Sequence, residues 1–369
     1  MTESVWRSMH VAYYAANPDA LLHDVVAPLF DEIGVPAYFV RHWRRGPHLR
    51  LNFRTDADTF TTVIAPRVRE VVGAHLARYP SRKQLAPQQL LPLHRRYAEI
   101  DGDTGQLVPW YADNTIHDAL YERPVIGFTG ESAAAFSEKF YCDTNSLVFD
   151  TVERVGLGQT RLGLLFDIWI ATAHALAGEI EHGWLSYRSH ADYFRHRGPD
   201  PVSRLRGWDE RYAGQKDEFG SRATAVAAAI DADRPGSARE WVDLMRPVRE
   251  RARTLVDQGL LTFPGARFDE ATAPDMRFRL SERELSPFHR ALVGNDEWSA
   301  FSRTPEFLTY RVVLTLTYAH ASRVGITLLD RYFLCHLAAK TMEDKYGVEG
   351  ADLAAGLLAR NLQLNGGSR

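Results

Sequence analysis

Two stretches of this 369-residue chain gather groups that could do chemistry. The first, RHWRRGPHLRLNF at 41–53, brings together Arg41, His42, Arg44, Arg45, His48 and Arg50. Guanidinium groups bind carboxylates and phosphates through charge-assisted hydrogen bonds, so the segment reads either as a local patch for an acidic or phosphate-bearing ligand or as a solvated basic strand edge that deters aggregation. The second, LTYAHASRVGI at 316–326, lies near the end of a strongly apolar helix and carries Tyr318, His320, Ser322 and Arg323. One buried Tyr or His is usually a hydrogen-bonded core residue. Four polar groups on one apolar segment point to a polar pocket.

Other chemistries lack their residues. GLGQT at 156–160 has no P-loop lysine, and no GxGxxG follows a strand. There is no GxSxG elbow and no HExxH. Glu179-x-x-His182 occurs once, and a di-iron bundle needs two such motifs plus two further glutamates; a solvated helix face is the expectation. Cys142 and Cys335 are far apart and outside any CxxC spacing, which argues against structural zinc and disulfides. No metal or other cofactor is expected.

The formal net charge of −3 disfavours general nucleic-acid binding but leaves room for a local basic patch. MTESVWRSMH lacks the basic-then-apolar pattern of a signal peptide. The most apolar helical stretch, LGLLFDIWIATAHALAG at 162–178, contains Asp167 and His174 and reads as a core helix, not a membrane span. The expectation is a soluble, cytoplasmic protein.

The elements that would position these groups follow from periodicity. Trp6 to Tyr14 predicts a strand, Pro18-Asp19 opens a helix, and Ala37 to Trp43 is a second strand. Gly46-Pro47 turns into a third, where His48, Arg50 and Asn52 share one face and Leu49, Leu51 and Phe53 the other, the pattern of a half-buried strand. Asp56 or Asp58 caps the next helix. This β-α-β-β-α order predicts an α+β fold with a ferredoxin-like α/β sandwich core. Residues 80–125 read as irregular. Helices are predicted over 131–140, 144–155 and 160 to about 196, with two more within 205–262, a linker at 263–275, a short strand at 276–280, and helices from Pro305 to about Arg323 and over 327–345. The expected organisation is 1–200 as the N-terminal part of the core, 201–264 as a large helical insertion, and 265–369 as the remainder of the core.

Taken in order, these motifs resemble a known family. They are Trp6-x-x-x-His10-x-x-Tyr13-Tyr14, then YFVRHW, GPHLRLNF, YERPVIGFTG (121–130), SAAAFSEKFYCDTNSLVFD and YAHASRVGI. The chain resembles the family that includes the glutamate-elimination domain of class I lantibiotic dehydratases and the stand-alone thiopeptide enzymes related to it, over all but roughly residues 200–265. The elimination domains typically read His-Leu-Arg-Leu-Arg-Phe at the third strand, where this chain has Asn52. They read Arg-Tyr-Gly-Gly where it has Gly127-Phe128-Thr129-Gly130, and carry a histidine where it has Tyr318. Arginines stabilise the departing carboxylate, so these changes count against elimination. The pattern is more similar to that of thiopeptide pyridine synthases.

That resemblance implies a formal aza-[4+2] cycloaddition of two dehydroalanines in a ribosomally made, thiazole-rich precursor peptide, with macrocyclisation and loss of water and leader peptide. A peptide amide must reach its imidic tautomer, and a tyrosine hydroxyl donates and accepts in one pose. Tyr318 is the candidate, with His320 tuning it or serving the dehydration. Residues two apart on a helix point in different directions, which sets a test for His320. Ser286, before Pro287, is a second candidate; its alternative reading is a helix N-cap. Trp110, Tyr111, Tyr187, Tyr193 and Phe194 are candidate groove residues. Arg41, Arg44, Arg45, His48, Arg50 and Asn52 are the candidate substrate and leader contacts, and other pathway modification enzymes are further candidate partners. Competing readings are a tRNA-Glu-dependent dehydratase partner that eliminates glutamate, a non-catalytic leader-binding scaffold, and a metal-dependent oxidation on the helical region.

Overall fold

The computed structural model describes residues 3–15, 17–101, 104–124, 126–195, 201–263, 285–293 and 295–356. The strand expected at 276–280 and most of the linker at 263–275 lie outside them. The chain divides into two compact units, the first made of Met1–Pro124, Glu138–Gln159 and Ser322–Gly325, the second of Val125–Ser137, Thr160–Ala321 and Ile326–Arg369. Helices outnumber strands in a mixed α+β chain.

The first unit is built on an antiparallel sheet of β1 (Val5–Ala12), β2 (Ala37–His42), β3 (His48–Thr55) and β4 (Thr115–Ala119), in the order β2-β3-β1-β4. One face carries Met9, Val11, Phe39, Leu49, Leu51 and Phe53, all buried. Leu21, Leu22, Val26 and Phe30 from the helical run Asp19–Ile33, and Ile64, Val68 and Val72 from the run Ala57–Arg78, complete this core. Phe30 meets Phe53 edge-on at 5.6 Å. Asp56 caps the second run by accepting the Thr59 N–H at 2.9 Å, as its position requires.

The other face is polar and equally covered. His48, Arg50 and Asn52 are 5%, 7% and 3% exposed. This corrects the half-buried strand: β3 lies between β2 and β1, and both of its faces are buried. Period two separates two faces but does not say that the polar one meets water.

Arg323 and Asn145 close the outer edge of β2. Arg323 Nε donates to Phe39 O at 2.9 Å and Asn145 Nδ2 to Ala37 O at 2.7 Å, so side chains take carbonyls that an exposed strand edge would offer to another chain.

The region 80–125 is more regular than its sequence suggests, with a helix at Pro87–Asp101 in addition to β4. β4 is short and polar (TIHDA), without an apolar run to announce it.

The second unit packs helices around Arg161–Ala175, whose Leu165, Phe166, Trp169 and Ala171 are fully buried. This is the predicted core helix: Asp167 accepts a bidentate bond from Arg222 at 2.6 and 2.8 Å, and His174 lies 2.7 Å from Asp231. The continuous helix expected over 160–196 breaks at residues 176–184, where Gly178 takes a positive φ of 68°. Glu179 and His182 therefore sit in a turn, not on a helix face. Three helices, Pro201–Ala213, Lys216–Asp231 and Ser237–Asp257, replace the two expected. The last of them buries Trp241, whose Nε1 donates to Thr172 Oγ1 at 2.9 Å. At Gly130 (φ 114°), a Cβ would collide with the Leu260 carbonyl, so the turn into the Thr129–Thr262 bridge requires glycine. No helix among the described residues is long and apolar enough to cross a membrane.

Candidate active site

Tyr318 lies on the helix Pro305–Val324 and faces a polar group from each of two other helices. Its hydroxyl is 2.6 Å from His190 Nδ1, on Leu185–Arg195, and 3.5 Å from Cys335 Sγ, on Leu328–Tyr346. The ring is wedged against Trp169 at 5.4 Å, and the Arg331 guanidinium lies over it at 5.3 Å. Tyr318 and His190 are half-buried. Burial first, then Arg331, Arg311 and His289, pull the His190 imidazole down to about 3. Burial, reinforced by Cys335 and Tyr187, holds the Tyr318 phenol well above its usual 10.0. At neutral pH the site thus holds an uncharged imidazole against a protonated phenol, with no net charge stored in the pair. Either group can donate or accept, and the tautomer of His190 decides which.

Ser286 occupies the N-cap of Pro287–Leu292, as the Ser-Pro pattern predicts. Its Oγ accepts the His289 N–H at 3.1 Å and lies 3.0 Å from His289 Nδ1. His289 Nε2 is 3.1 Å from Ser189 Oγ, and Ser189 immediately precedes His190. His320 is turned elsewhere: it is fully buried and packs its ring against Trp241 at 4.8 Å. Tyr187 is core, its hydroxyl donating to Trp169 O at 2.8 Å. Phe194 stacks on Tyr332 at 4.5 Å, and Trp110 stacks on His94 at 5.0 Å in the first unit.

The expected basic surface is split by the sheet. Arg41 points to the face opposite His48, where it pairs with Asp19 at 3.0 Å and donates to Arg323 O at 2.9 Å. On the polar face, His48 Nδ1 lies 2.8 Å from Gly46 O and Nε2 accepts from Arg50 Nε at 3.2 Å. A carbonyl can only accept, so His48 carries its proton on Nδ1. Arg50 Nη1 reaches Glu122 at 2.9 Å, and Arg44 pairs with the same carboxylate. Arg45 lies over the Tyr111 ring at 4.3 Å and donates to Pro109 O at 2.8 Å. His10 stacks on His48 at 4.6 Å and meets Tyr111 OH at 3.1 Å. Burial first, then His48 and the nearby arginines, pull His10 down to about 2. Burial is also the largest cause for His48, drawn down to about 3. The polar face is thus two arginines on one carboxylate, walled by neutral imidazoles.

Sequence reading missed His190, His289, Cys335 and Glu122. His190 sits in RSHADYFRHR among other polar residues, and nothing local marks it as Tyr318's partner. His289 stood three residues after Ser286 in ERELSPFHR, a spacing that puts two side chains on one helix face.

Motif order, fold and the polar site agree with one class of protein. The chain belongs to the lantibiotic biosynthesis dehydratase C-terminal family, which matches residues 6–342. It is similar to TbtD, the pyridine synthase from thiomuracin biosynthesis, with 34% identity over 93% of this chain and 99% of that one, and a TM-score of 0.73. TsrL shares the fold, with 24% identity over 95% of this chain and 98% of its own, and a TM-score of 0.70. No curated protein sequence matches the chain.

Proposed function

We propose that this protein forms the central pyridine ring of a thiopeptide, by formal aza-[4+2] cycloaddition of two dehydroalanines in a ribosomally made precursor peptide, followed by loss of water and of the leader peptide. The observation that carries the reading is the Tyr318 hydroxyl held against a neutral His190. Likeness to a pyridine synthase over nearly the whole chain supports it.

The amide that becomes the azadiene must lose its N–H proton and gain one on oxygen. With His190 as the Nδ1–H tautomer, the imidazole donates to the phenol oxygen, and the Tyr318 O–H exchanges Cys335 Sγ, a weak acceptor 3.5 Å away, for the substrate carbonyl. With the amide turned cis, so that its C=O and N–H share one side, the same oxygen accepts the amide proton as the first transfers. The amide becomes C(OH)=N, and Tyr318 ends with one proton, as it began. The raised phenol and lowered imidazole suit such an exchange, because neither is asked to hold charge. The remaining barrier is mainly one of approach: holding two distant dehydroalanines in register is worth up to about 7–11 kcal/mol in well-oriented reactions.

We assign the leader to the partly exposed Arg44 and Arg45 ahead of β3, which would meet its acidic residues; Arg50, 7% exposed, is reached only by displacing Glu122. The β-α-β-β-α-β succession and the order β2-β3-β1-β4 support reading this sheet as a ferredoxin-like core.

The test is mass spectrometry of a linear, dehydrated thiazolyl peptide before and after incubation. A mass loss equal to leader amide plus water is expected. An unchanged mass with the wild-type protein overturns the reading, and glutamate release from a glutamylated peptide would put elimination in its place.

A further inference from the structure

Along the helix Pro305–Val324, Arg311, Thr315 and Tyr318 are half-buried while every residue between them is buried. Spaced four and three apart, the three side chains share one face, so the helix shows a single polar stripe to the outside. Arg311 precedes Tyr318 by about 10 Å along the axis. Its guanidinium lies over the Phe263 ring at 4.2 Å. Burial lowers it from its ordinary value, with no neighbouring charge to offset the effect. At the other end, Arg331 lies over the Tyr318 and Tyr332 rings, 5.3 Å from each. It is half-buried, one helical turn before the fully buried Cys335, so the way to Tyr318 opens on the Arg331 side. Neither arginine has a carboxylate partner among the described residues. Two half-buried cations without counter-charges leave donors unspent where desolvation makes that costly. Between them, Thr315 gives its hydroxyl proton to Arg311 O at 2.8 Å, which leaves its oxygen only to accept.

We propose that this stripe is the track for the substrate's peptide backbone: Arg311 and Arg331 donate to its carbonyl oxygens, Thr315 accepts one of its amide N–H groups, and the reacting amide is thereby delivered to Tyr318. This rests on the pyridine-forming reading above and names the residues that hold the peptide in that site. Donor, acceptor, donor is the complement of an extended backbone, whose carbonyls and N–H groups alternate. A carboxylate would answer the arginines but has no proton to give Thr315. An extended chain rises about 3.3 Å per residue, so the stretch from Arg311 to Tyr318 takes about three residues. Because the track reads backbone and not side chains, it accepts a peptide whose side chains have already been chemically changed.

The test reads binding apart from chemistry. A fluorescein-labelled, dehydrated thiazolyl peptide without its leader is titrated by anisotropy into a Tyr318→Phe parent, which should hold the peptide without converting it. The same titration is made with that parent carrying Arg311→Met, Arg331→Met or Thr315→Val. Each change should weaken binding, the arginine changes about tenfold and the threonine change about fivefold. Analogues with one amide N–H replaced by an ester oxygen are then compared position by position. At one position the ester should cost the parent about fivefold and the Thr315→Val protein nothing, a coupling that general loss of structure does not produce. If every ester weakens both proteins equally, the proposal is overturned. It is also overturned if both arginine variants bind as tightly as the parent. Displacement of the peptide by free glutamate from the parent, but not from Arg311→Met, would make the stripe a carboxylate site and overturn it too. Should an arginine variant not fold by circular dichroism, the shape-conserving Thr315→Val decides. A wild-type protein that leaves the mass of the leader-bearing peptide unchanged would instead overturn the pyridine reading, while the pattern of binding would still stand, so the two failures are distinct.

Discussion

The hydroxyl of Tyr318 lies 2.6 Å from Nδ1 of His190, which is 128 residues away in sequence. The contact joins the helices Leu185–Arg195 and Pro305–Val324 at a point where both side chains keep some exposure. Deleting the hydroxyl tests its chemistry with little disturbance of packing. Tyr318→Phe retains the ring against Trp169 and beneath Arg331. The thermal midpoint should move by only a few degrees, reflecting about 1 kcal/mol for one lost hydrogen bond. Ring formation should fall about 100-fold or more. A folded Tyr318→Phe protein with wild-type turnover would remove Tyr318 from the mechanism.

Stability should fall as acid titrates the polar sheet face. His10 and His48 are 4% and 5% exposed, and their folded values are depressed, to about 2 and about 3. Unfolded, both return to the ordinary imidazole value of 6.5. Below 6.5 the unfolded chain binds protons that the folded one refuses, so their stabilisation is complete above that value and drains away toward the folded ones. Each imidazole contributes up to about 1.4 kcal/mol per pH unit in that window. Urea unfolding at about pH 7 and about pH 5.5 should differ by about 2 kcal/mol, in favour of the higher pH. Equal midpoints at the two pH values would contradict neutral, buried imidazoles.

How much of this was legible depended on where each signal lay. The strands Val5–Ala12, Ala37–His42 and His48–Thr55 announced themselves by alternation, and the Ser286 cap by its Ser-Pro pair. The burial of His48, Arg50 and Asn52 did not, because the groups that answer them, Glu122 and Tyr111, come from a segment that reads as irregular. The basic run looked like a single surface because sequence order ignores the sheet. Arg41 and His48 lie on opposite faces, and Arg41 already has Asp19. For the catalytic helix, Tyr318 was visible as a polar group on an apolar segment. Its neighbour at 320 looked equivalent, yet the helical turn directs His320 to Trp241. Partners from distant helices leave no local trace, which is why His190 and Cys335 had to come from the fold.

Glu122 should oppose the binding of acidic peptides. Its carboxylate pairs with both Arg44 and Arg50, so any ligand carboxylate at that fork must displace it. Its side chain is 44% exposed, which makes displacement outward into water feasible and its own contribution to stability small. Glu122→Gln removes the competing charge and keeps the shape. A fluorescein-labelled, Asp/Glu-rich peptide should bind this variant about tenfold more tightly than wild type, and the gain should shrink in high salt. Weaker or unchanged binding, measured by anisotropy, would place the acidic contacts elsewhere.

Arg323 should be irreplaceable even by lysine. It is 1% exposed and donates to Phe39 O at 2.9 Å, Tyr141 O at 3.0 Å and Thr144 Oγ1 at 2.9 Å, and also to Asn145 Oδ1. Its guanidinium also lies over the Phe39 ring at 4.7 Å. Burial draws it down only to about 10, so it stays charged at neutral pH. The acceptors point in from β2, from the helix Ala133–Asp143 and from the start of Asn145–Gly156. A planar fork reaches all of them at once; an ammonium on a flexible stem reaches fewer and leaves buried carbonyls without donors. Each such orphan costs about 1–3 kcal/mol. Arg323→Lys should therefore lose about 3 kcal/mol in urea unfolding, nearly as much as Arg323→Met, although it keeps the charge. If lysine restored full stability, charge alone would explain the residue, and the fork that secures the edge of β2 would be incidental.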